Sequence, residues 1–224
     1  MRVHRYANEE DAARRAAEIV AAAAREDVAE RGRFAVAFSG GKAPWRMLEI
    51  LAAMDDVPWS AMTVFQTDER VTPEGGPDRN WSRMLARLGA VPAALRPMPV
   101  EERDLEAAAA AYARSLESVA GSPPVLGLVH LGLGADGHTA SLVPGDPVLA
   151  TRDADVAATG PYRGLRRMTL TFPAIDRARR RLFLVTGTNK DDDKGPALEK
   201  LLAGDASIPA GRVRRDATTV VAAI

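Results

Sequence analysis

The sequence predicts one α/β domain built on a mostly parallel sheet with helices on both faces. Three observations lead there. Short apolar runs alternate with segments of helical periodicity along the whole chain. Those runs are apolar at nearly every position rather than at alternate ones, and several end abruptly in glycine-rich polar loops. At 224 residues the chain is long enough for one sizeable core, and no internal repeat or low-complexity linker divides it, so residues 1–224 read as a single domain.

From about Asn8 to Arg31 an alanine-rich segment sets Ile19 and Val28 among paired charges, which reads as an amphipathic helix stopped by Gly32. FAVAF, Phe34 to Phe38, is a buried strand that runs into Ser39-Gly40-Gly41. Pro44 suits the first turn of the helix that WRMLEILAAM continues. MTVFQ, Met62 to Gln66, is the next strand; TDERVTPEGGPD reads as a long polar loop, and NWSRMLARLG as a helix closing at Gly89. A proline-punctuated connection, VPAALRPMPVEERD, leads to a helix from roughly Asp104 to Val119 and then to VLGLVHLGLG, the strongest strand. DVAAT, RMTLT and RLFLVTG are further strands, Lys190 to Ala203 a helix, and ATTVVAAI a last strand.

Lys plus Arg and Asp plus Glu are both 30, so there is no net charge to attract nucleic acid or an anionic membrane, and any bound anion must be held locally. Cysteine is absent, which excludes disulfides, thiolate metal sites and cysteine nucleophiles. Three histidines, His4, His130 and His138, do not suggest a histidine-rich metal cluster. The first twenty residues lack the apolar region of a signal peptide, and their acids argue against a transit peptide. No apolar run is long enough to span a bilayer, so a cytoplasmic protein is the expectation.

In parallel sheets ligands gather at the carboxyl ends of strands, where three polar loops of this chain begin. The first, HLGLGADGH, spells G-x-G-x-x-G with Gly132, Gly134 and Gly137. A dinucleotide turn needs a long helix opening at the third glycine, yet Pro144 and Gly145 stop any helix after little more than a turn. Asp153 and Asp155 also stand at the start of a strand, not at the end where the ribose is read. Instead, Asp136 and His138 leave the strand together, where an imidazole suits general-base work on water. The plainer alternative is a tight turn with His138 packed locally. His130, inside the strand, reads as a hydrogen-bonded core residue.

The second loop, AFSGGKAP, departs from a Walker A at Val36 and Ala43, and from a nucleophile elbow at Ala37. The chain order Ser39, Asp68 or Asp136, then His138 keeps a serine hydrolase open, although at most one strand precedes Ser39. A simpler use is a phosphate cradle of Gly40 and Gly41 amides at a helix N-terminus, with Lys42 adding charge; the alternative is an ordinary turn with an exposed Lys. The third loop places Thr67-Asp68-Glu69-Arg70 directly after a strand, with Glu69 and Arg70 either solvated, paired or functional. Asp191 to Asp193 read as acids near a helix N-terminus, favoured by its dipole.

GLGADGHTASLVPG, TDER with Asn80-Trp81 after it, SGG before a Pro-started helix, RRMTLTFPAI and VTGTNK together resemble the 6-phosphogluconolactonase family, in the right order over nearly the whole chain. That family is similar in fold to glucosamine-6-phosphate deaminases, a Rossmann-like architecture, and to sugar-phosphate sensing domains of some regulators. Deaminases typically read DEY and GHIAFNEP where this chain has Asp68-Glu69-Arg70 and Gly137 to Leu142, so both loops favour the lactonase over the deaminase. The sensors commonly carry a DNA-binding segment ahead of the first helix, for which this sequence leaves no room.

The resemblance implies hydrolysis of 6-phosphoglucono-δ-lactone to 6-phosphogluconate without metal or organic cofactor. It assigns His138 as the base, Asp68 or Asp136 as its orienting partner, and amides of the Gly132 to Gly137 loop, Gly134 and Gly137 among them, as oxyanion donors. Ser39, Gly40, Gly41 and Lys42 are expected at the phosphate, with Arg70, Arg167 and Lys190 supplying charge around the substrate. Two departures stand out. Lys42-Ala43 replaces the small hydroxyl residue that usually follows the two glycines, and Arg79 replaces the Ser that commonly precedes Asn80.

Overall fold

The computed structural model describes residues 1–187 and 193–224. Its strands are β1 (Arg2–Arg5), β2 (Phe34–Phe38), β3 (Met62–Gln66), β4 (Asp68–Arg70), β5 (Ala94–Leu95), β6 (Leu128–Leu131), β7 (Val156–Ala158), β8 (Arg167–Leu170), β9 (Arg181–Thr186) and β10 (Thr218–Ala223). Between them run α1 (Glu9–Arg31), α2 (Lys42–Ala52), α3 (Asn80–Leu88), α4 (Leu105–Ala120), α5 (Phe172–Arg177) and α6 (Gly195–Ala203). Seven strands form one parallel sheet in the order β1-β10-β9-β6-β2-β3-β5; β4-β8-β7 make a second, antiparallel sheet. None of the described helices is long and apolar enough to cross a membrane.

The continuous apolar runs are explained by two buried faces. Along β2, Phe34, Val36 and Phe38 enter a core shared with α1, α2 and α3, whereas Ala35 and Ala37 enter one shared with α4, α5, α6 and β8. β9 divides in the same way, Leu182 and Leu184 against Phe183 and Val185. Helix α1 starts where the Asn8 side chain accepts from the Asp11 amide (2.8 Å), carries three acids in its first turn, and ends at Gly32 with φ 71°. Its buried face is nearly all alanine: Ala12, Ala13, Ala16, Ala17, Ala21, Ala23 and Ala24 around Val20.

Three departures from the sequence expectation have physical causes. Asp68–Arg70 is a strand, not the start of a loop, because it pairs with a segment a hundred residues away that no local pattern reveals. The polar edge strand β1, the two-residue β5 and the short α5 carry too little apolar pattern to be read locally. Two strands, β1 and β2, therefore precede Ser39 rather than one. Helix α6 begins at Gly195, with the Asp193 side chain accepting from the Gly195 amide (2.9 Å).

The alanine face of α1 has no room for a larger side chain. Ala17→Leu is expected to lower stability by about 1–3 kcal/mol, whereas Ala22→Leu on the exposed side of the same helix shifts it by less than about 0.5 kcal/mol. Urea unfolding of the two variants checks this, and equal midpoints would show that α1 is loosely packed.

Candidate active site

The chain passes from β2 to β3 on one side and later places β6 on the other, so the order of connection reverses between β2 and β6. Crevices form at such points, outside the carboxyl ends of the strands. Here the adjacent strands β9, β6, β2 and β3 deliver Thr186-Gly187, the Gly132 to His138 loop, Ser39 to Gly41 and Thr67-Asp68 to one end of the sheet. They surround a cavity of about 280 Å³.

The β6 loop brings Asp136 and His138 together. His138 Nδ1 lies 2.6 Å from Asp136 Oδ1, which also accepts from the His138 amide at 3.1 Å. The Tyr162 hydroxyl donates to the other carboxylate oxygen at 3.0 Å. Burial alone would raise the Asp136 carboxyl, but His138 and the Tyr162 hydroxyl outweigh it and hold the group well below the usual carboxylate range. With Nδ1 committed to a carboxylate, that nitrogen carries the proton and Nε2 keeps a free lone pair.

The glycines of this loop serve the imidazole as much as any ligand. A Cβ on Gly134 would lie 2.1 Å from His138 Nδ1, and one on Gly137, which has φ +83°, would lie 2.5 Å from Ile208. Their amides are used inside the loop, Gly134 N donating to His138 O and Gly137 N to Gly134 O, each at 2.9 Å. Gly134 lines the cavity together with Gly132, Leu133 and Ala135. Among the described residues no backbone carbonyl accepts from the Leu133 or Ala135 amide.

Positive charge collects around the same space: Lys42, Arg70, Arg163, Arg167 and Lys194 line it, against Glu9 and Asp68. Arg70 and Arg167 are cross-strand partners in the β4–β8 pairing. Like charges directly opposite one another destabilise a sheet. Among the described residues the buried Nε atoms of both side chains have no hydrogen-bond partner. Arg167 is almost wholly buried, and that burial lowers its hold on its proton. Arg70 otherwise donates to the Asp78 carbonyl (2.9 Å) and to Asn80 Oδ1 (2.7 Å). Helix α2 opens at Gly41 without a side-chain cap and without an acid in its first turn, whereas α1 and α4 are capped by Asn8 and Asp104.

Of the residues singled out in the sequence, Asp136, His138, Ser39, Gly40, Gly41, Lys42, Asp68, Arg70, Gly134 and Arg167 meet around this cavity, Asp136 through His138 and the rest in its wall. Gly137 packs on Ile208 behind the loop, and Lys190 lies outside the described residues. Asp68 does not orient His138. Its carboxylate accepts from Ser141 Oγ (2.7 Å) and Thr67 Oγ1 (3.1 Å), and Ser141 in turn accepts from Arg167 (3.4 Å). Ser39 Oγ is bonded to Thr67 Oγ1 at 2.8 Å rather than to an imidazole, and Thr139 pairs with Leu142 where a dinucleotide fold needs a helix.

His130 is the core residue expected: it is fully buried, accepts from the Ser39 amide at 3.4 Å, and burial pushes it down to about 3, leaving it neutral. Arg79 points away from the cavity, buried against Glu69 and Glu101. Glu69 is neither solvated nor paired with its neighbour's guanidinium. Its two oxygens accept from the Arg70, Asn80 and Trp81 amides at 2.7–2.9 Å, so it caps α3 and fixes Asn80. The residues missed were Asn80's contact with Arg70, Tyr162, Arg163 and Lys194. The only local signal for the middle pair was the Arg163-Gly164 turn.

A family model described as glucosamine-6-phosphate isomerases/6-phosphogluconolactonase matches residues 7–222. The chain is 39% identical over 178 residues to a 6-phosphogluconolactonase of Synechocystis sp., an alignment covering 75% of this chain and 72% of that one. Its fold superposes on the crystal structure of 6-phosphogluconolactonase from Thermotoga maritima with TM-score 0.84 and 25% identity, covering 99% and 98% of the two chains. A monomeric glucosamine-6-phosphate deaminase shares the fold at TM-score 0.82 but only 19% identity, over 99% of this chain and 97% of the other. With a loop reading DGHTASL carrying its histidine, a match over nearly its full length and a relative this similar, the chain belongs to the glucosamine-6-phosphate isomerase/6-phosphogluconolactonase family.

Proposed function

We propose that this protein hydrolyses 6-phosphoglucono-δ-lactone to 6-phosphogluconate, the second step of the oxidative pentose phosphate pathway, with His138 as general base. The observation that carries this reading is the pairing, in one cavity, of an imidazole held by a carboxylate with two arginines forced side by side. The first is a proton acceptor for water. The second is a site whose repulsion and unpartnered donors are relieved by a dianionic group such as phosphate.

In the proposed step His138 Nε2 takes a proton from water as its oxygen bonds to the lactone carbonyl carbon. The tetrahedral oxyanion is met by the Leu133 and Ala135 amides, since those of Gly134 and Gly137 are already donated. Collapse breaks the bond to the ring oxygen, which receives the same proton back from Nε2, and the product acid ionises. A lactone already hydrolyses in water, so orientation and one base suffice. Gly40 and Gly41 at the open end of α2, Lys42, Arg70 and Arg167 are assigned to the phosphate.

Fresh 6-phosphoglucono-δ-lactone should release acid faster with the protein than without it, and His138→Ala should lower kcat/KM by about 10²- to 10⁴-fold. Ammonia release from glucosamine 6-phosphate, or lactone binding without turnover, would overturn the proposal.

Asp136 is depressed in the folded state, so its contribution is present above the ordinary carboxylate range and is lost only as the pH falls below it. An acid limb at higher pH therefore does not come from Asp136. In Asp136→Asn the imidazolium loses its counter-charge, so that limb moves to lower pH and kcat falls about tenfold or more. An unmoved limb would remove Asp136 from the mechanism.

Arg167→Met keeps the side-chain bulk and removes a buried cation facing Arg70. KM for the lactone should rise about tenfold or more, while the thermal midpoint stays level or rises, as expected where function opposes stability. A lowered midpoint with unchanged KM would make Arg167 structural.

A further inference from the structure

Tyr162 lies outside the motifs quoted above for the family, yet it contacts Asp136, His138, Arg163 and Arg167. Tyr162 to Leu165 form a two-residue hairpin turn: the Tyr162 amide donates to Leu165 O at 2.9 Å, and Arg163 and Gly164 both have positive φ, 52° and 81°. Glycine is at ease in that conformation and arginine is not. The strained residue lines the cavity.

The turn hangs Tyr162 over the catalytic loop. Asp136 stands at the exposed tip of the loop with its side chain part-buried, and its Oδ1 already accepts twice from His138. Among the described residues the second oxygen, Oδ2, accepts a hydrogen bond only from the Tyr162 hydroxyl, at 3.0 Å, which sets the rotation of the carboxylate. The tyrosine ring meets the His138 ring edge-on, with centroids 5.4 Å apart. The guanidinium carbons of Arg163 and Arg167 lie 5.3 and 5.0 Å from the same ring centroid.

We propose, on the reading of His138 as the base, that Tyr162 is a positioning residue: its hydroxyl sets the Asp136 carboxylate against His138, and its ring holds Arg163 and Arg167 beside the reacting centre. The reaction supplies the reason. When His138 takes a proton from water it becomes a third cation next to two guanidinium groups, and the Asp136 carboxylate and the π-face of Tyr162 are what offset that charge. Asp68 and Arg70 reach the cluster through Arg167, and Lys42, Lys194 and Glu9 line the same cavity. Burial and the Asp136 charge raise the ionisation of the Tyr162 hydroxyl, which keeps it a donor.

Two variants separate the hydroxyl from the ring. Tyr162→Phe keeps the ring and should lower kcat about three- to tenfold with little change in KM. The Asp136 carboxylate then leans wholly on the imidazolium, so the acid limb of kcat/KM moves to higher pH. Tyr162→Ala also removes the platform for the two arginines and should raise KM about tenfold. In an Asp136→Asn background, Tyr162→Phe should change kcat no further, because the hydroxyl acts through the carboxylate. A Tyr162→Phe protein with unaltered kcat and acid limb, or effects of the two substitutions that multiply, overturns the inference. If His138→Ala is inactive while Tyr162→Phe is normal, the inference alone fails; an active His138→Ala removes the base and the inference with it.

Discussion

The pairing of Asp68–Arg70 with Arg167–Leu170 sets the geometry on which the rest of the site depends. β3 ends at Gln66 in the parallel sheet, and after the single residue Thr67 the chain enters the antiparallel sheet. Thr67 joins the two, its amide donating to Phe38 O (3.0 Å) and its carbonyl accepting from the Leu170 amide (2.7 Å). Alternation along the three residues of β4 then has three different consequences. Asp68 meets Ser141 beside the cavity, Glu69 turns inward to cap α3, and Arg70 is pressed against Arg167.

Such a pairing is not one that stability alone would select. Two arginines face each other, one of them almost wholly buried, and both leave an Nε unpartnered. In the proposed reading an anion offsets that cost, because it relieves repulsion and satisfies donors at once. The stabilising contacts lie just outside it. Glu69 holds the start of α3, Asn80 bridges back to Arg70, and the two apolar cores clamp the sheet from either face. Strain at Arg163 and like charge at Arg70 are thereby carried by a rigid frame.

How much of this was legible in the sequence follows from the range of each interaction. The inner strands of the parallel sheet, β2, β3, β6, β9 and β10, are largely apolar runs, and the long helices α1 and α4 have capping residues and stop glycines beside them, so those elements could be read locally. So could Asp136 and His138, two residues apart on one loop. Asp68 or Asp136 could not be chosen as the partner of His138, because the choice depends on Ser141 and Thr67 claiming the Asp68 carboxylate across the fold. The strand at Asp68–Arg70 and the inward turn of Arg79 were hidden for the same reason. Each depends on a partner away from its own segment: β8 for the strand, and for Arg79 the buried Glu69 ten residues earlier and the exposed Glu101 beyond α3. Tyr162 had no signal beyond its neighbouring glycine, since a turn specifies its own backbone and not what it overhangs.

The glycines of the β6 loop show how one spelling can serve unrelated physics. In a dinucleotide turn the close approach is between backbone and pyrophosphate, and a long helix must follow. Here the space left by Gly134 is taken by the His138 ring and that left by Gly137 by Ile208, while the next residues form a bridged turn instead of a helix. The motif's small residues therefore fold the loop back on itself. That fold directs Nδ1 of His138 to Asp136, with Tyr162 closing the far side of the carboxylate. The absence of side chains at these positions is what allows an imidazole to be held by its own loop.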